Sequence, residues 1–310
     1  MLPSVLIGVI AAVLCPDRVV LVDVATARPT GTVALPGVGA AVFAAPDGRL
    51  LVPLVGADAT LVLDGAAVVA RWRGRLFPLF YDEPDHMHVV LPEVLLTLTY
   101  PERLPVTRVP IPGLTGARRA AVNRDGRLVA IAPAAAGSAT LLIAAAVEGG
   151  SARRIALGGD ARLLALAGDG AFAVVATGQN GLELALPGTD HSLVAQPLDG
   201  TVTAVAVTDR REVIVGVAAP GGAALVGMKV DPSGKPSLKP KFRTPLPAAA
   251  TALAVAHDDV VAIAGDQIVV LSKHGRRVRQ IVPLVGGLDV TLLPERPTSA
   301  VPAWSDATPH

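Results

Sequence analysis

The sequence predicts an all-β protein, a seven-bladed β-propeller of four-stranded antiparallel blades, from three observations. Turn signals built on aspartate recur at a nearly constant spacing, and a second set of Pro or Gly turns keeps phase with them. In addition, the 310 residues include 31 glycines and 27 prolines, which is too many turn-forming residues for long helices. Together these features favour many short strands arranged as a repeat.

The composition fits a well-packed β protein and excludes some partners. Hydrophobic residues make up 51% of the chain but aromatic residues only 3%, so the core must consist of Ala, Val and Leu. The formal net charge of +1 argues against nucleic acid as a partner, because that interaction depends on excess positive charge. The lone Cys15 excludes an internal disulfide.

The aspartate turns define the repeat. They occur at Asp47, Asp85, Asp125, Asp169, Asp209 and Asp258, with spacings of 38, 40, 44, 40 and 49 residues. Repeats of about 40–50 residues are typical of propeller blades. Where the aspartate is followed by Gly, as in Asp47-Gly48, the pair is a strong hairpin signal because Gly accepts a positive φ.

The second set of turns lies about ten residues before the aspartate turns and marks the start of each inner strand. Examples are Leu35-Pro36-Gly37 and Leu157-Gly158-Gly159. A seventh inner strand, Leu288 to Leu293, has too little chain after it to complete a blade. Three strands near the N-terminus are left over, and we expect them to complete it: Val5 to Ala12, Arg18 to Val24, and Gly31 to Leu35. The propeller domain is therefore 1–297, with its first blade split between about 1–37 and 288–297, and 298–310 is a C-terminal tail.

Two apolar stretches are predicted to be strands and not membrane helices. Val5 to Leu14 is shorter than the roughly 20 residues that a helix needs to span a bilayer, and no Lys or Arg precedes it as in a signal peptide. Leu128 to Val147 is interrupted by Pro133 and by Gly137-Ser138. We expect no transmembrane helix and no signal peptide, and the compartment stays open between a periplasmic and a membrane-peripheral location.

One unit resembles a known repeat. Val19 to Ala27, Thr32 to Gly37 and Pro46 to Arg49 together resemble one unit of the YVTN-type propeller repeat, a WD40-like pattern of bacteria and archaea. Leu51-Val52-Pro53-Leu54 stands where that family has its namesake tetrapeptide. The resemblance implies a propeller, and the family includes cell-surface proteins, ligand-binding modules and subunits of periplasmic dehydrogenases.

An aromatic segment is the first candidate binding site. Trp72, Arg73, Phe77, Phe80 and Tyr81 lie within ten residues of one another, and aromatic and Arg side chains are enriched in interface hot spots. We therefore predict that they contact a partner. The alternative is that the rings fill a gap between the second and third blades.

The same segment contains a possible half of a metal site. His86 and His88 are two residues apart, so on a strand they point to one face, with Asp82, Glu83 and Asp85 close in sequence. Imidazole and carboxylate together suit zinc and similar ions. However, no third His or Cys is near in sequence, and the alternative is a structural role.

A basic patch is the second candidate binding site. All five lysines lie between Lys229 and Lys273, and Lys235, Lys273, Arg276 and Arg277 belong to turns that we expect on one face, beside Arg28. Such a patch suits an acidic protein subunit or the anionic surface of a membrane. The alternative is a set of solvated hairpin tips.

No enzyme signature is present: the sequence lacks the zinc-protease, P-loop and Gly-x-Ser-x-Gly motifs. We expect no cofactor and a non-catalytic protein-binding scaffold, an extrinsic subunit of a larger assembly. The alternative is a small-ligand-binding or redox-linked periplasmic module. Its ligand would lie in the central channel, where these residues are the candidates: Tyr81, Asp82, His86, Asp190 and His191.

Overall fold

A computed structural model describes residues 9–79, 85–114, 119–122, 127–133, 139–145, 152–178, 180–186, 194–231 and 236–293. The regular elements in these ranges are 28 β-strands. Among the described residues, no helix has the length and apolarity needed to span a membrane.

The first eleven strands begin the series of sheets. They are β1 (Ile10–Cys15), β2 (Arg18–Asp23), β3 (Arg28–Ala34), β4 (Phe43–Ala44), β5 (Leu50–Pro53), β6 (Ala59–Asp64), β7 (Ala67–Arg73), β8 (Pro78–Leu79), β9 (His86–Leu91), β10 (Val94–Thr99) and β11 (Pro105–Pro110). Strands β4 to β7 form one four-stranded antiparallel sheet and β8 to β11 form the next, each in chain order.

The next sixteen strands repeat this arrangement in groups of four. They are β12 (Arg119–Val122), β13 (Arg127–Pro133), β14 (Ala139–Ala145), β15 (Arg153–Ala156), β16 (Ala161–Leu166), β17 (Ala173–Thr177), β18 (Gly181–Ala185), β19 (Val194–Pro197), β20 (Thr201–Val207), β21 (Glu212–Ala219), β22 (Gly222–Asp231), β23 (Ser237–Leu246), β24 (Ala250–Ala256), β25 (Asp259–Ala264), β26 (Gln267–Ser272) and β27 (Arg277–Pro283). Each group forms one sheet in chain order.

The last described strand, β28 (Asp289–Leu293), pairs with β1, so that Val290 lies opposite Val13. The resulting order β28-β1-β2-β3 makes a sheet from the two ends of the chain. We call it the closure sheet. Its first strand is inner and its last strand is outer, as in the sheets formed by consecutive strands.

The all-β class is confirmed, but the predicted count of seven blades is corrected: the structure has six blades of four consecutive strands, and the remaining sheet is the closure sheet. The blades also differ, because inner strands β4 and β8 have only two residues each. Beside β4, the amide of Val42 donates to the side-chain carboxylate of Asp289 on β28 at 3.0 Å and not to a backbone carbonyl of its own sheet. Pro78 begins β8 without an amide donor.

The predicted strand bounds are also wrong at the N-terminus. The first strand is β1 and not Val5 to Ala12, and residues 5–8 lie outside the described residues. The strand has shifted because Pro16 and Asp17 form the tight turn before β2, where Cys15 pairs with Arg18. Apolar composition alone did not locate that turn.

The packing explains the high apolar content. Middle strands such as β2 and β26 are buried along four consecutive residues, because neighbouring sheets cover both of their faces. Apolar clusters fill the space between successive sheets: Val22 of the closure sheet packs with Val261 of β25, and Leu21 packs in a cluster with Leu61 of β6. Small side chains suit these narrow layers.

Strand direction determines which turns share a face. Because antiparallel strands alternate in direction, the connections from first to second and from third to fourth strand lie at one end of every sheet. This end carries the turns at Asp47, Asp169, Asp209 and Asp258, and we call it the aspartate face. Ion pairs connect neighbouring sheets there: Arg211 Nε lies 2.6 Å from Asp169 Oδ2, and Arg210 lies 3.3 Å from Asp258.

Candidate protein-binding surfaces

The aromatic segment is divided between the core and the surface. Trp72 is only 4% exposed and packs between two sheets, with its ring centroid 6.2 Å from that of Tyr100. The guanidinium carbon of Arg103 lies 5.0 Å from the Trp72 ring centroid. Phe77 is 39% exposed, and Arg73 is also exposed. Phe80 and Tyr81 lie outside the described residues.

The burial of Trp72 follows from the backbone. It occupies the one buried position of β7, whose neighbours Arg71 and Arg73 are exposed. In the described structure, Trp72 therefore packs in the way that the alternative interpretation expected. The contact of this segment with a partner stays a prediction, and Arg73 and Phe77 are its accessible members here.

The two histidines lie on β9. His88 is 1% exposed, and its Nδ1 lies 3.0 Å from Thr97 Oγ1 on the neighbouring strand β10. Asp82 and Glu83 lie outside the described residues. Within the described part of the chain, no group of three or more His, Cys, Asp or Glu side chains converges. The metal site stays a prediction.

The central channel also stays untested as a ligand site. Of the five residues expected there, Tyr81, Asp82, Asp190 and His191 lie outside the described ranges, and His86 lies on β9. Inner strands such as β20 and β24 are rich in Ala, Val, Thr and Leu. The small-ligand alternative therefore stays a prediction.

The basic patch is built around a buried carboxylate. Glu212, the first residue of β21, is 7% exposed. Its Oε1 accepts a bond from Lys241 Nζ and lies 3.5 Å from Arg276. Two cations at one buried carboxylate compensate for its loss of hydration. Arg276 comes from the neighbouring sheet, so this ion-pair cluster links two blades.

The Arg276 guanidinium also lies over an aromatic ring. Its central carbon is 5.4 Å from the ring centroid of Phe242 on β23, an arrangement that suits a cation-π contact. Phe242 lies opposite Gly227 of β22. A Cβ atom at Gly227 would lie only 1.9 Å from the ring, so glycine is required for this placement. Arg276 is thus held by both a carboxylate and a ring.

The turn from Lys273 to Arg277 is held in a defined conformation. Lys273 and His274 have φ values of 54° and 57°, and Gly275 has a φ of 88°. The His274 amide donates to the Asp258 carbonyl at 2.8 Å, and Thr244 Oγ1 of the neighbouring sheet donates to the Gly275 carbonyl at 2.8 Å. These bonds fix the backbone of the turn from which its cations project.

Lys273 and Arg277 are the free cations of that turn. Both are exposed, and within the described residues neither has an ion pair or a hydrogen bond from its side chain. We call Lys273 and Arg277, with the anchored Arg276, the blade-edge basic surface. The structure therefore brings together three of the four basic residues predicted for the patch, and Lys235 lies outside the described residues.

Sequence reasoning missed a wider feature, a basic perimeter. The outer strand of each sheet is β3, β7, β11, β15, β19, β23 or β27, and these strands contain no Asp or Glu. Their cations are Arg28, Arg71, Arg73, Arg108, Arg153, Arg154, Lys239, Lys241, Arg243, Arg277 and Arg279. Counting charges by strand position would have revealed it, because the acidic residues that balance the net charge lie elsewhere.

A groove of about 440 Å³ lies between two outer strands, β19 and β23. Gln196 and Asp199 line one side, and Lys241 and Arg243 line the other. Arg243 Nη1 bonds both Asp199 carboxylate oxygens, at 2.8 and 2.9 Å. This hydrogen bond lowers the pKa of Asp199. The groove is thus bridged by its own ion pair.

Comparison with known proteins identifies the fold but no family. No protein-family model matches the sequence, and no curated protein matches it. Among solved structures, U3-55K has a TM-score of 0.69 at 12% identity, covering 89% of this chain and 92% of that one. The RRP9 WD40 repeats have the same score and identity, covering 89% and 91%. Apo AztD from Citrobacter koseri has a TM-score of 0.66 at 10% identity, covering 92% and 98%.

These identities show the fold alone. The chain has the fold of WD40 and other β-propellers, and the narrower resemblance to YVTN-type repeats stays a prediction.

Proposed function

We propose that this chain is a non-catalytic scaffold that binds another protein, as an extrinsic subunit of a larger assembly. The observation that carries the proposal is the blade-edge basic surface. Lys273 and Arg277 are exposed and without a side-chain partner among the described residues, yet the turn that carries them is fixed by bonds to the Asp258 turn and to Thr244 of β23. A turn whose backbone is already ordered loses little backbone entropy when a partner binds.

The partner that suits this surface is an acidic face of a protein. Charge complementarity favours association and excludes partners of the wrong sign. The WD40 structures that the chain resembles support a binding role for the fold in general. The YVTN-type resemblance is compatible with the same role, because that family includes subunits of larger complexes.

The test is affinity purification of the chain from its own cells, followed by mass spectrometry. The variant is Lys273→Glu with Arg277→Glu, which reverses two exposed charges and removes no ion pair. The control is Arg18→Glu with Arg162→Glu, which reverses a half-buried and an exposed arginine near the opposite face, each paired with an aspartate close in sequence. We expect a stoichiometric partner with wild type and control, and its loss with the variant. The same protein at the same yield from all three would refute the proposal.

A further inference from the structure

The outer strand β7 is the longest of the described outer strands that contain no proline. Prolines interrupt most outer strands, at positions 29, 105, 110, 197, 240, 245 and 283. Natural proteins place proline and charge on exposed edges because a free edge pairs with other chains. Strand β7 has seven residues and no proline, and β15, also without proline, has only four.

The backbone of β7 offers its hydrogen-bonding groups at alternate residues. The Gly74 amide donates to the Asp58 carbonyl at 3.1 Å, and the register places Arg73 opposite Ala59 and Arg71 opposite Leu61. Hydrogen-bonded and non-hydrogen-bonded pairs alternate along an antiparallel ladder. Since Asp58 and Gly74 are bonded, Arg73 and Arg71 belong to non-bonded pairs. Their N–H and C=O groups therefore point away from β6.

A second hydrogen bond supports the same assignment of hydrogen-bonded and non-hydrogen-bonded pairs. The Ala59 carbonyl accepts from the Leu54 amide at 3.0 Å, so Ala59 is bonded towards β5 and not towards Arg73. The outward groups of Arg71 and Arg73 are thus free to pair with an added strand. Between Val62 and Leu63 the register shifts, which leaves Val69 as the extra residue of a β-bulge.

The side chains of β7 indicate which kind of strand could pair with this edge. Val68 and Val69 are 45% and 52% exposed, and Arg71 and Arg73 are exposed without an ion pair among the described residues. Trp72, between the two arginines, is buried and anchors the strand. The edge therefore combines an apolar end with two like charges that lie on one face, two residues apart.

We propose that β7 is a docking edge for an extended acidic segment of a partner protein, which adds to the β4–β7 sheet as a fifth strand. Carboxylates two residues apart on that segment would lie opposite Arg71 and Arg73, and directly opposed charges stabilise strand pairs. A second copy of this chain is disfavoured, because pairing β7 with itself would bring the arginines of the two copies together. This edge does not include the blade-edge basic surface, so the proposal goes beyond the function above.

The test uses a fluorescent peptide, acetyl-Thr-Val-Glu-Val-Glu-Val-Thr-amide, and the matched peptide with Lys in place of both Glu. We expect the acidic peptide to bind the full chain at least about tenfold more tightly, which corresponds to about 1.4 kcal/mol. At saturation, the amides of Arg71 and Arg73 should become protected from hydrogen exchange. The Trp72 amide, already bonded to β6, should not change.

Three variants separate the contribution of the β7 backbone from that of the arginine charges and from that of the blade-edge basic surface. Arg71→Pro removes an outward amide without removing a bond to β6, and should weaken binding about tenfold or more. Arg71→Glu with Arg73→Glu keeps the backbone donors and should reverse the preference to the lysine peptide. Arg277→Ala, in the blade-edge basic surface, should bind as wild type. That last result keeps this proposal separate from the proposed function.

Several results would overturn the proposal. They are equal binding of the two peptides, no binding at millimolar peptide, undiminished binding by Arg71→Pro, and no protection of the Arg71 and Arg73 amides. Dimerisation of the wild-type chain that is lost in Arg71→Pro would assign the edge to a second copy, and would also overturn it. If Arg71→Pro fails to fold, the double glutamate variant replaces it as the test, and an unchanged preference for the acidic peptide would overturn the proposal.

Discussion

Replacing Gly227 with Ala should destabilise the protein, because the added methyl group would clash with the ring of Phe242. A Cβ at this position would lie 1.9 Å from Cε1 and 2.1 Å from Cζ of Phe242. Carbon atoms pack at about 3.5–4 Å, so the ring must move by roughly 1.5 Å. Such overpacking costs about 1–3 kcal/mol. The displaced ring also loses its place beneath the Arg276 guanidinium.

The assay is urea denaturation of wild type, Gly227→Ala, Phe242→Ala and the double variant. The midpoint of Gly227→Ala should fall with an unchanged m-value. In the Phe242→Ala background the clash is absent, and alanine in a strand is favoured over glycine by about 0.5–1 kcal/mol. The Gly227 substitution should then be neutral or stabilising. Equal costs in both backgrounds would refute the reasoning, because the two effects would be independent.

Three further predictions concern polar groups that are buried or partly buried. Tyr100→Phe removes the 2.9 Å bond from Tyr100 Oη to Asp47 Oδ1, which connects two sheets, and should lower the free energy of unfolding by about 1–2 kcal/mol in urea titrations. Burial raises the pKa of Asp289, so the folded state retains its proton to higher pH than the unfolded state. The wild-type free energy of unfolding should therefore fall, relative to Asp289→Asn, as the pH rises from about 4 towards the folded pKa, in paired thermal melts. Cys15 is fully buried, and burial raises the pKa of its thiol. Its thiol should react with a disulfide reagent only in denaturant, whereas deletion of 289–310 should make it reactive in native buffer because β28 is lost.

The sequence predicted the features of the fold that depend on local chemistry. The turns at Asp47-Gly48 and Asp169-Gly170 are present, and Gly48 and Gly170 have φ values of 79° and 67°. These turns depend on residues adjacent in sequence, so their signal is strong. The short β4 was not predictable, because it lies beside a contact between distant residues, the bond from Val42 to Asp289.

The candidate surfaces were predictable to a smaller extent. An aromatic residue such as Trp72 is equally compatible with a core and with a surface, and the bulge beside Val62 disturbs the alternation that would have distinguished them. The pairing of Lys241 and Arg276 with Glu212 joins residues 29 and 64 apart in the chain. The clustering of cations near the C-terminal end, in contrast, is visible in the sequence, and it led to Lys273 and Arg277.

The most direct test of the proposed function is photo-cross-linking in living cells, with benzoylphenylalanine placed at Lys273, at Arg277, or at the control position Arg162. If the chain is a scaffold that binds a partner through the blade-edge basic surface, the first two positions should each give one adduct of the same discrete mass. Arg162, an exposed cation near the opposite face, should give none. No adduct from Lys273 and Arg277, or the same adducts from all three positions, would contradict the account.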